Sequence, residues 1–477
     1  MLYQLSHVRL SPGGLHRFSS AALPGDVLNS SGFPGQLKIR SRSMPRGWPA
    51  SAVPSALPAD HQPPPAPLPD DHPQATRRTP ARRTRLLVRG GASRAGPTPP
   101  DLHFRHRPPA PPRRRTVSGH PAPRTPLARF GGRLATGLRD VTSDPAALDS
   151  AGYWAVAYDF EGRLTCARFD EVRPAPAPPS GAGWRGPEAG GWHSSLDRAA
   201  YTAGVRRIRE HIAAGEVYQA NLCRVLSAPL PDPDRSDVDA LTGLLAHGNP
   251  APYAGTIRLP DHGVEIATAS PELYLRRTGR TVSSGPIKGT GRTEDDLLDK
   301  DHAENVMIVD LVRNDLGRVC GTGTVTVPDL CAVEKHPGLV HLVSTVEGTL
   351  REGAGWPELL AATFPPGSVT GAPKSSALRI IDALETAPRG PYCGAVGWVD
   401  ADRGEAELAV GIRTFWIDRT DPAAPVLRFG TGAGITWGSD PEREWAETEL
   451  KAARLVAIAS GGEPGGESGS GSDPTGA

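Results

Sequence analysis

The sequence predicts an α+β fold in which strands and helices gather in separate layers. Runs with the alternation of strands and runs with the spacing of helices come in mixed order, without the regular strand–helix–strand repeat of a doubly wound parallel sheet. Near the C-terminus CGAVGWVD, AELAVGIRTFWID and PVLRFGTGAGIT follow one another as three antiparallel strands. The chain has 477 residues, 38% of them hydrophobic, enough for a large core.

Composition divides the chain before any element is placed. From Ser41 to Ala128 about a quarter of the residues are proline, arginines are frequent, and the only acids are Asp60, Asp70, Asp71 and Asp101. Such a segment cannot bury enough apolar surface to offset its ordering entropy. Residues 1–128 therefore read as a disordered leader or as upstream sequence included by a misplaced start; RNA binding through the arginines is a third reading. Order is expected from about Arg129, with 129–193 a short β portion and linker, 194–460 the main domain, and the Gly/Ser-rich residues 461–477 a disordered tail.

GYWAVAYDF and GRLTCARF read as a hairpin turning at Gly162, and the Pro/Gly-rich residues 174–191 as a loop. A helix opens with Ser194-x-x-Asp197, carries Tyr201, Val205, Ile208 and Ile212 on one face, and stops at Gly215. EVYQANLCRVLSAPL, VEIATASPELYLRR, TVSSGPI and VHLVSTVEGTL read as strands. LLDKDHAENVMIVDLVRNDLG reads as a helix ending at Gly317, and APKSSALRIIDALE as one with Pro373 in its first turn. The last helix, SDPEREWAETELKAARLVAIAS, begins with a Ser439-x-x-Glu442 box and Pro441.

Net charge is +1, which gives no strong field toward nucleic acid or acidic membranes. Five scattered cysteines fit a reducing cytoplasm better than a disulfide scaffold. No run approaches the length of a membrane span, and the N-terminus lacks the pattern of a secretory signal.

Four groupings could carry chemistry. Asp301 and Glu304 on one helix, and Glu444 and Glu447 on another, each share a face at i, i+3, with Lys451 and Arg454 continuing the second face. Facing each other, such edges would suit Mg²⁺; apart, they are solvated charges paired with Lys300, Arg443 or Lys451. Gly430-Thr-Gly-Ala-Gly434 lets a small molecule approach the backbone, or is a bulge; it is not a dinucleotide fingerprint. Arg413, in a strand, either faces outward or turns inward to meet a carboxylate. Lys288 in SSGPIKGTGRT is either a turn lysine on the surface or, if buried, a reactive amine, with Glu272 of SPELYL a possible acid in the same cleft.

Taken together, ASPELYL, PIKGT, AENVMIVDLVRNDLGR, HLVSTVEG, FPPGSVTGAPK, YCGAVGW, GIRTF, GTGAGI and EREWAETELK, in this order over about residues 194–457, resemble the chorismate-utilising enzymes. These are the large subunits of anthranilate synthase and aminodeoxychorismate synthase and the isochorismate and salicylate synthases. The resemblance implies two stacked antiparallel sheets flanked by helices, and Mg²⁺ bridging a substrate carboxylate to the protein. It implies Glu304 and Glu447 as direct metal ligands, with Asp301 and Glu444 supporting through water. Tyr392, Arg413, Lys451 and the backbone of Gly432, Ala433 and Gly434 would bind carboxylate. Gly289 and Thr290 would line the substrate floor. His341 matches an active-site histidine, and Glu272 the general acid that protonates the departing C4 hydroxyl of chorismate.

Two positions discriminate within the family. Where the isochorismate and salicylate synthases carry a water-activating lysine, this chain has Gln219, a poor base, which leaves ammonia as the incoming group. Where anthranilate synthases typically read PIAGT, it reads PIKGT, similar to aminodeoxychorismate synthase, whose lysine is held to attack ring carbon C2 before ammonia adds at C4. The expectation is thus aminodeoxychorismate synthase component I, with anthranilate synthase component I as the alternative and a non-catalytic chorismate-binding subunit as the second. Neither a Leu-Leu-Glu-Ser inhibitor motif nor a glutaminase nucleophile turn is found. The resemblance implies a separate glutamine amidotransferase subunit supplying ammonia, and a separate lyase to release p-aminobenzoate for folate or specialised metabolism.

Overall fold

A computed structural model of the chain describes residues 124–175, 183–291, 293–336 and 339–462. The leader expected over 1–128 lies outside these residues as far as 123, and the tail lies outside them from 463. The N-terminal half comprises β1 (Leu127–Phe130), β2 (Arg133–Thr142), β3 (Tyr153–Tyr158), β4 (Leu164–Pro174), β5 (His193–Ser194), α1 (Arg198–Ala213), β6 (Gln219–Pro229), α2 (Val238–Gly248), β7 (Tyr253–Leu259), β8 (Val264–Ser270) and β9 (Leu273–Thr278). There follow β10 (Thr281–Gly285), β11 (Ile287–Gly291), α3 (Asp299–Gly317), β12 (Thr326–His336), β13 (Leu339–Thr349), α4 (Trp356–Thr363), β14 (Gly371–Ala372), α5 (Lys374–Leu384), β15 (Ala395–Asp400), β16 (Glu405–Val410), β17 (Thr414–Asp418), β18 (Val426–Ile435) and α6 (Pro441–Ala459).

Every pairing between these strands is antiparallel, and the pairings trace one continuous ribbon. Its first half runs β12–β13, then β10 and β11 end to end along β13, then β9–β16–β15–β3–β4. The long strands β4 and β2 carry it over to β1–β7–β8–β17–β18–β6, with β5 and β14 on the far edge of β6. The two expected sheets are the halves of this ribbon. One large core joins them: Phe130, Ile257 and Ile266 from the second half pack in the same cluster as Val156, Leu275, Val346 and Leu408 from the first. Helices α2 and α6 cover the outer face of the second half through Leu241, Leu245, Leu455 and Ile458, against Phe415 and Phe429. Helices α1 and α5 cover its end through Tyr201, Val205, Ile208 and Ile380, against Leu222 and Ile435.

Local signals explain most boundaries. The hairpin turns at Gly162, with φ +92°, as expected. The α1 cap differs from expectation: Asp197 is the N-cap, its carboxylate accepting from Ala200 N–H, whereas Ser194 lies in β5. Similarly Asp440, and not Ser439, caps α6, accepting from Glu442 and Arg443 N–H, with Pro441 in the first turn. Pro373 stands just before α5, not inside it. Strand β12 and helices α2 and α4 were not expected.

Two runs expected as single strands are broken, and the breaks organise the molecule. VEIATASPELYLRR divides at Pro271–Glu272: β8 pairs with β7 and β17 in one layer, β9 with β10 and β16 in the other. AELAVGIRTFWID divides at Gly411–Arg413: β16 pairs with β15 and β9, β17 with β18 and β8. Each chain leaves one layer and enters the other, side by side. The crossing points are bonded directly: Val410 N–H donates to Glu272 O (3.0 Å), Ala269 N–H to Arg413 O (3.0 Å), and Ser270 Oγ–H to Val410 O (2.6 Å).

Candidate functional site

Each crossing carries one informative residue, Arg413 in one and Glu272 in the other. Arg413 has φ +52°, a left-handed conformation that a non-glycine residue holds only where its surroundings enforce it. It therefore does not lie inside a strand as expected, but in the step between two. Its side chain is partly buried and forms no ion pair among the described residues; burial alone lowers its pKa. A half-buried guanidinium in this state is matched to an anion.

Glu272 occupies the other crossing and is 5% exposed. Burial pushes its carboxyl up to about 7, against hydrogen bonds from the Ser368 side chain and Ile287 N–H and the charge of Lys288. A carboxyl in that range can hold a proton near neutral pH and give it up.

Lys288 lies on β11, not in a turn. Its Nζ donates to Ser368 O at 3.5 Å. Burial lowers its pKa; the charges of Glu304, Glu272 and Glu447 oppose this and that of Lys451 adds to it. The sequence left the net direction undecided, and desolvation prevails. The same charges show which elements converge on β11: the β8–β9 crossing, α3 and α6. Ser368 joins acid to amine, its side chain bonded to Glu272 and its carbonyl to Lys288. It sits in FPPGSVTGAPK, a motif quoted in the sequence without a residue being singled out; Ser between Gly367 and Val369 carried no spacing signal.

Gly289 has φ +80°, where β11 bulges against β13, and a Cβ there would stand 2.9 Å from Asp301 Cβ. The N-terminal turn of α3 is thereby held over β11. The backbone of Thr290 pairs with His341, which is buried on β13.

The two acidic faces do meet. Lys300 Nζ of α3 lies 3.5 Å from Glu304 Oε1 and 4.0 Å from Glu444 Oε1 of α6. Glu444 is 4% exposed; burial raises its pKa, countered by a hydrogen bond from Ser439. Glu447 pairs with Lys451 at 2.7 Å, and this and the charges of Lys300 and Lys288 hold it below the usual carboxylate range although burial opposes them. Asp301 turns back, accepting from Leu298 N–H at 2.9 Å, so in this arrangement it caps its own helix.

The glycine-rich run forms the end of β18. There β18 pairs with β6 on one side, while β17 starts at the Arg413 crossing, so beyond Phe429 the other edge of β18 has no strand beside it among the described residues. Lys451 Nζ reaches in to donate to Gly432 O at 3.0 Å. Added Cβ atoms at Gly430 and Gly434 would stand 2.0 Å from the Tyr392 ring and 2.5 Å from Gln219 Nε2, so alternate glycines are needed for close approach. Tyr392 and Gln219 are buried, and Gln219 Oε1 makes no hydrogen bond among the described residues.

Among the described residues no three His, Cys, Asp or Glu side chains already stand close enough together to chelate an ion. The residues nonetheless fit a divalent cation. Among the described residues Glu304 Oε1 is buried without a hydrogen bond, and a lysine ammonium is drawn between it and Glu444, which marks a place that calls for positive charge. Among the described residues no helix is long and apolar enough to cross a membrane.

Comparison with known proteins agrees with this geometry. The profile of a family described as chorismate binding enzyme matches residues 162–457. Anthranilate synthase component 1 of Streptomyces coelicolor is 42% identical over 281 residues, 56% of this chain and 53% of that protein. The Thermus thermophilus protein of the same name is 40% identical over 311 residues, 62% of this chain and 63% of that one. The chain thus spans between half and two thirds of the length of these curated relatives. Among solved structures, a putative 2,3-dihydroxybenzoate-specific isochorismate synthase from Bacillus anthracis superposes with a TM-score of 0.59 at 25% identity, over 70% of this chain and 96% of that one. Anthranilate synthase component I from Streptococcus pneumoniae superposes with a TM-score of 0.52 at 25% identity, over 63% and 76%.

Proposed function

Because this chain belongs to the chorismate binding enzyme family, we propose that it aminates chorismate with ammonia, yielding 4-amino-4-deoxychorismate. The observation that carries the reading is the half-buried Lys288 beside the buried Glu272, the two joined through Ser368. The relatives' names favour the other product, anthranilate, which the sequence reading had placed second. Lys288 is this chain's own argument for C4.

The partly buried Arg413 and the open edge of β18 bind the substrate's carboxylates. Glu304 and Glu447 would hold Mg²⁺, with Asp301 and Glu444 in support through water; when bound, the ion would neutralise a substrate carboxylate and fix the ring. Lys288 Nζ, as the neutral amine, bonds to ring carbon C2. Both ring double bonds shift, C1=C2 to C1=C6 and C5=C6 to C4=C5, and the C4 oxygen leaves as water with the proton of Glu272. Ammonia then bonds to C4, both double bonds shift back, and the C2–Nζ bond breaks to release lysine as the neutral amine. The added nitrogen returns one proton to Glu272. Overall one hydroxyl is exchanged for one amine and one water is released. Gln219, an uncharged amide, does not activate water to compete. Ammonia comes from a separate glutamine amidotransferase subunit, in the cytoplasm, and a separate lyase takes the product onward.

The test is incubation with chorismate, Mg²⁺ and ammonium. Anthranilate fluoresces directly, whereas the 4-amino product stays dark until a lyase is added. Immediate fluorescence would replace the C4 reading by the C2 one; chorismate binding without turnover would leave a binding subunit.

A further inference from the structure

We propose that Lys300 is a displaceable counter-ion of the cation site, occupying with its ammonium the place a divalent ion takes between α3 and α6. The inference rests on the Mg²⁺ assignment above and adds to it a residue that the assignment does not use.

The two lysines beside the acidic faces are held differently. Lys451 is fixed at both sides, 2.7 Å from Glu447 Oε1 and bonded to Gly432 O at 3.0 Å. Lys300 lies at ion-pair distance, 3.5 and 4.0 Å, from two carboxylates on different helices. Its own side chain is 49% exposed while those of Glu304 and Glu444 are only 14% and 5% exposed. A lysine with this exposure can swing its head group into water on its flexible stem; the carboxylates cannot follow. Without positive charge between them, the buried Glu304 and Glu444 would repel and push α3 and α6 apart. A divalent ion on Glu304, with Glu444 reached through water, supplies that charge and leaves no room for the ammonium between the two helices. Cation binding is therefore an exchange, ion in and ammonium out, and Lys300 sets the affinity as well as keeping the two helices in register before the ion arrives.

The experiment is a calorimetric titration of the full chain with Mg²⁺, without substrate, for the wild type, Lys300→Met and Lys300→Arg. Removing a competing charge of this exposure should tighten Mg²⁺ binding about fivefold in Lys300→Met and little in Lys300→Arg. Thermal melts supply a second readout. Lys300→Met should melt below the wild type in the absence of Mg²⁺, and the gap should close at saturating Mg²⁺. Equal or weaker binding in Lys300→Met, or a melting gap that saturating Mg²⁺ leaves unchanged, would make Lys300 a purely structural charge and overturn the inference alone. A wild type that takes up no Mg²⁺ would remove the metal assignment and this inference together.

Discussion

At Glu272 one carboxyl is asked to stay neutral at a pH where most are ionised. Its pKa rises from 4.5 to about 7 because burial penalises the charge more than Ser368, Lys288 and Ile287 N–H relieve it. The sign of the consequence follows. Between those two values the folded chain binds more protons than the unfolded one, so stability is highest below the unfolded pKa and falls as pH rises through about 7. The loss amounts to about 3 kcal/mol. As the proposed general acid, Glu272 would also have to be protonated to act, so turnover should fall over the same upper range. In Glu272→Gln both slopes should flatten: urea unfolding from pH 5 to 8 checks the first, initial rates the second, and an unchanged stability slope would mean the carboxyl is not desolvated as described. For Lys288→Ala the expected result is loss of the 4-amino product by at least about a thousandfold, with chorismate binding retained. Mass spectrometry of wild-type protein quenched during turnover should show a chorismate-derived adduct on Lys288, and product formation at full rate by the alanine variant would exclude the covalent route.

At the level of elements, the site exists because two neighbouring strands change layers together. A straight β8–β9 would place Glu272 in the body of a sheet, and a straight β16–β17 would leave β18 paired along its whole length with no open edge for an anion. The bulge in β11 makes a similar demand on Gly289: φ +80° and the 2.9 Å approach of Asp301 Cβ leave no place for a side chain. Gly289→Ala should therefore lose about 1–3 kcal/mol in denaturant unfolding and raise the Mg²⁺ concentration needed for half-maximal rate, since α3 carries Glu304. An alanine variant of wild-type stability would show that the bulge relaxes freely. These geometries were only partly legible in the sequence. Acids at i, i+3 and the glycine run are statements about local spacing, and they lie where spacing put them. The crossings were not legible, because apolar alternation reports burial and continues unbroken when a strand exchanges one set of partners for another. Strand β12 was missed for the opposite reason: TVPDLCAVEKH carries Pro328, Asp329 and Glu334, which an edge strand tolerates and an alternation test rejects. Lys288 was assigned by resemblance, while its strand and its desolvation came only from three-dimensional packing.

Over the whole molecule, the question is how much of the chain the chemistry needs. The continuous ribbon makes β1 and β2 indispensable, because they join β4 to β7 and so hold the two layers in one sheet path. The anchoring begins slightly before β1. Arg124 donates to Ser236 O at 2.6 Å and pairs with the buried Glu265 at 3.3 Å, a carboxylate that Arg419 also holds. Residue 124 is thus already tied to the β7–β8 layer, whereas, Gln219 apart, every residue placed in the proposed chemistry lies at 272 or beyond. A chain starting at residue 124 should keep the melting temperature of the full chain to within about 2 °C and its ammonia-dependent rate to within about twofold. A chain starting at residue 134, which removes Arg124 and β1, should lose several degrees and most of its activity, because Glu265 is left buried with one partner fewer and β7 with an uncovered edge. Melts and initial rates of the three chains decide the matter. If removal of residues 1–123 alone abolished turnover while the fold stayed intact, the arginine-rich segment would have a direct part in function, and the self-sufficient catalytic ribbon argued here would be refuted.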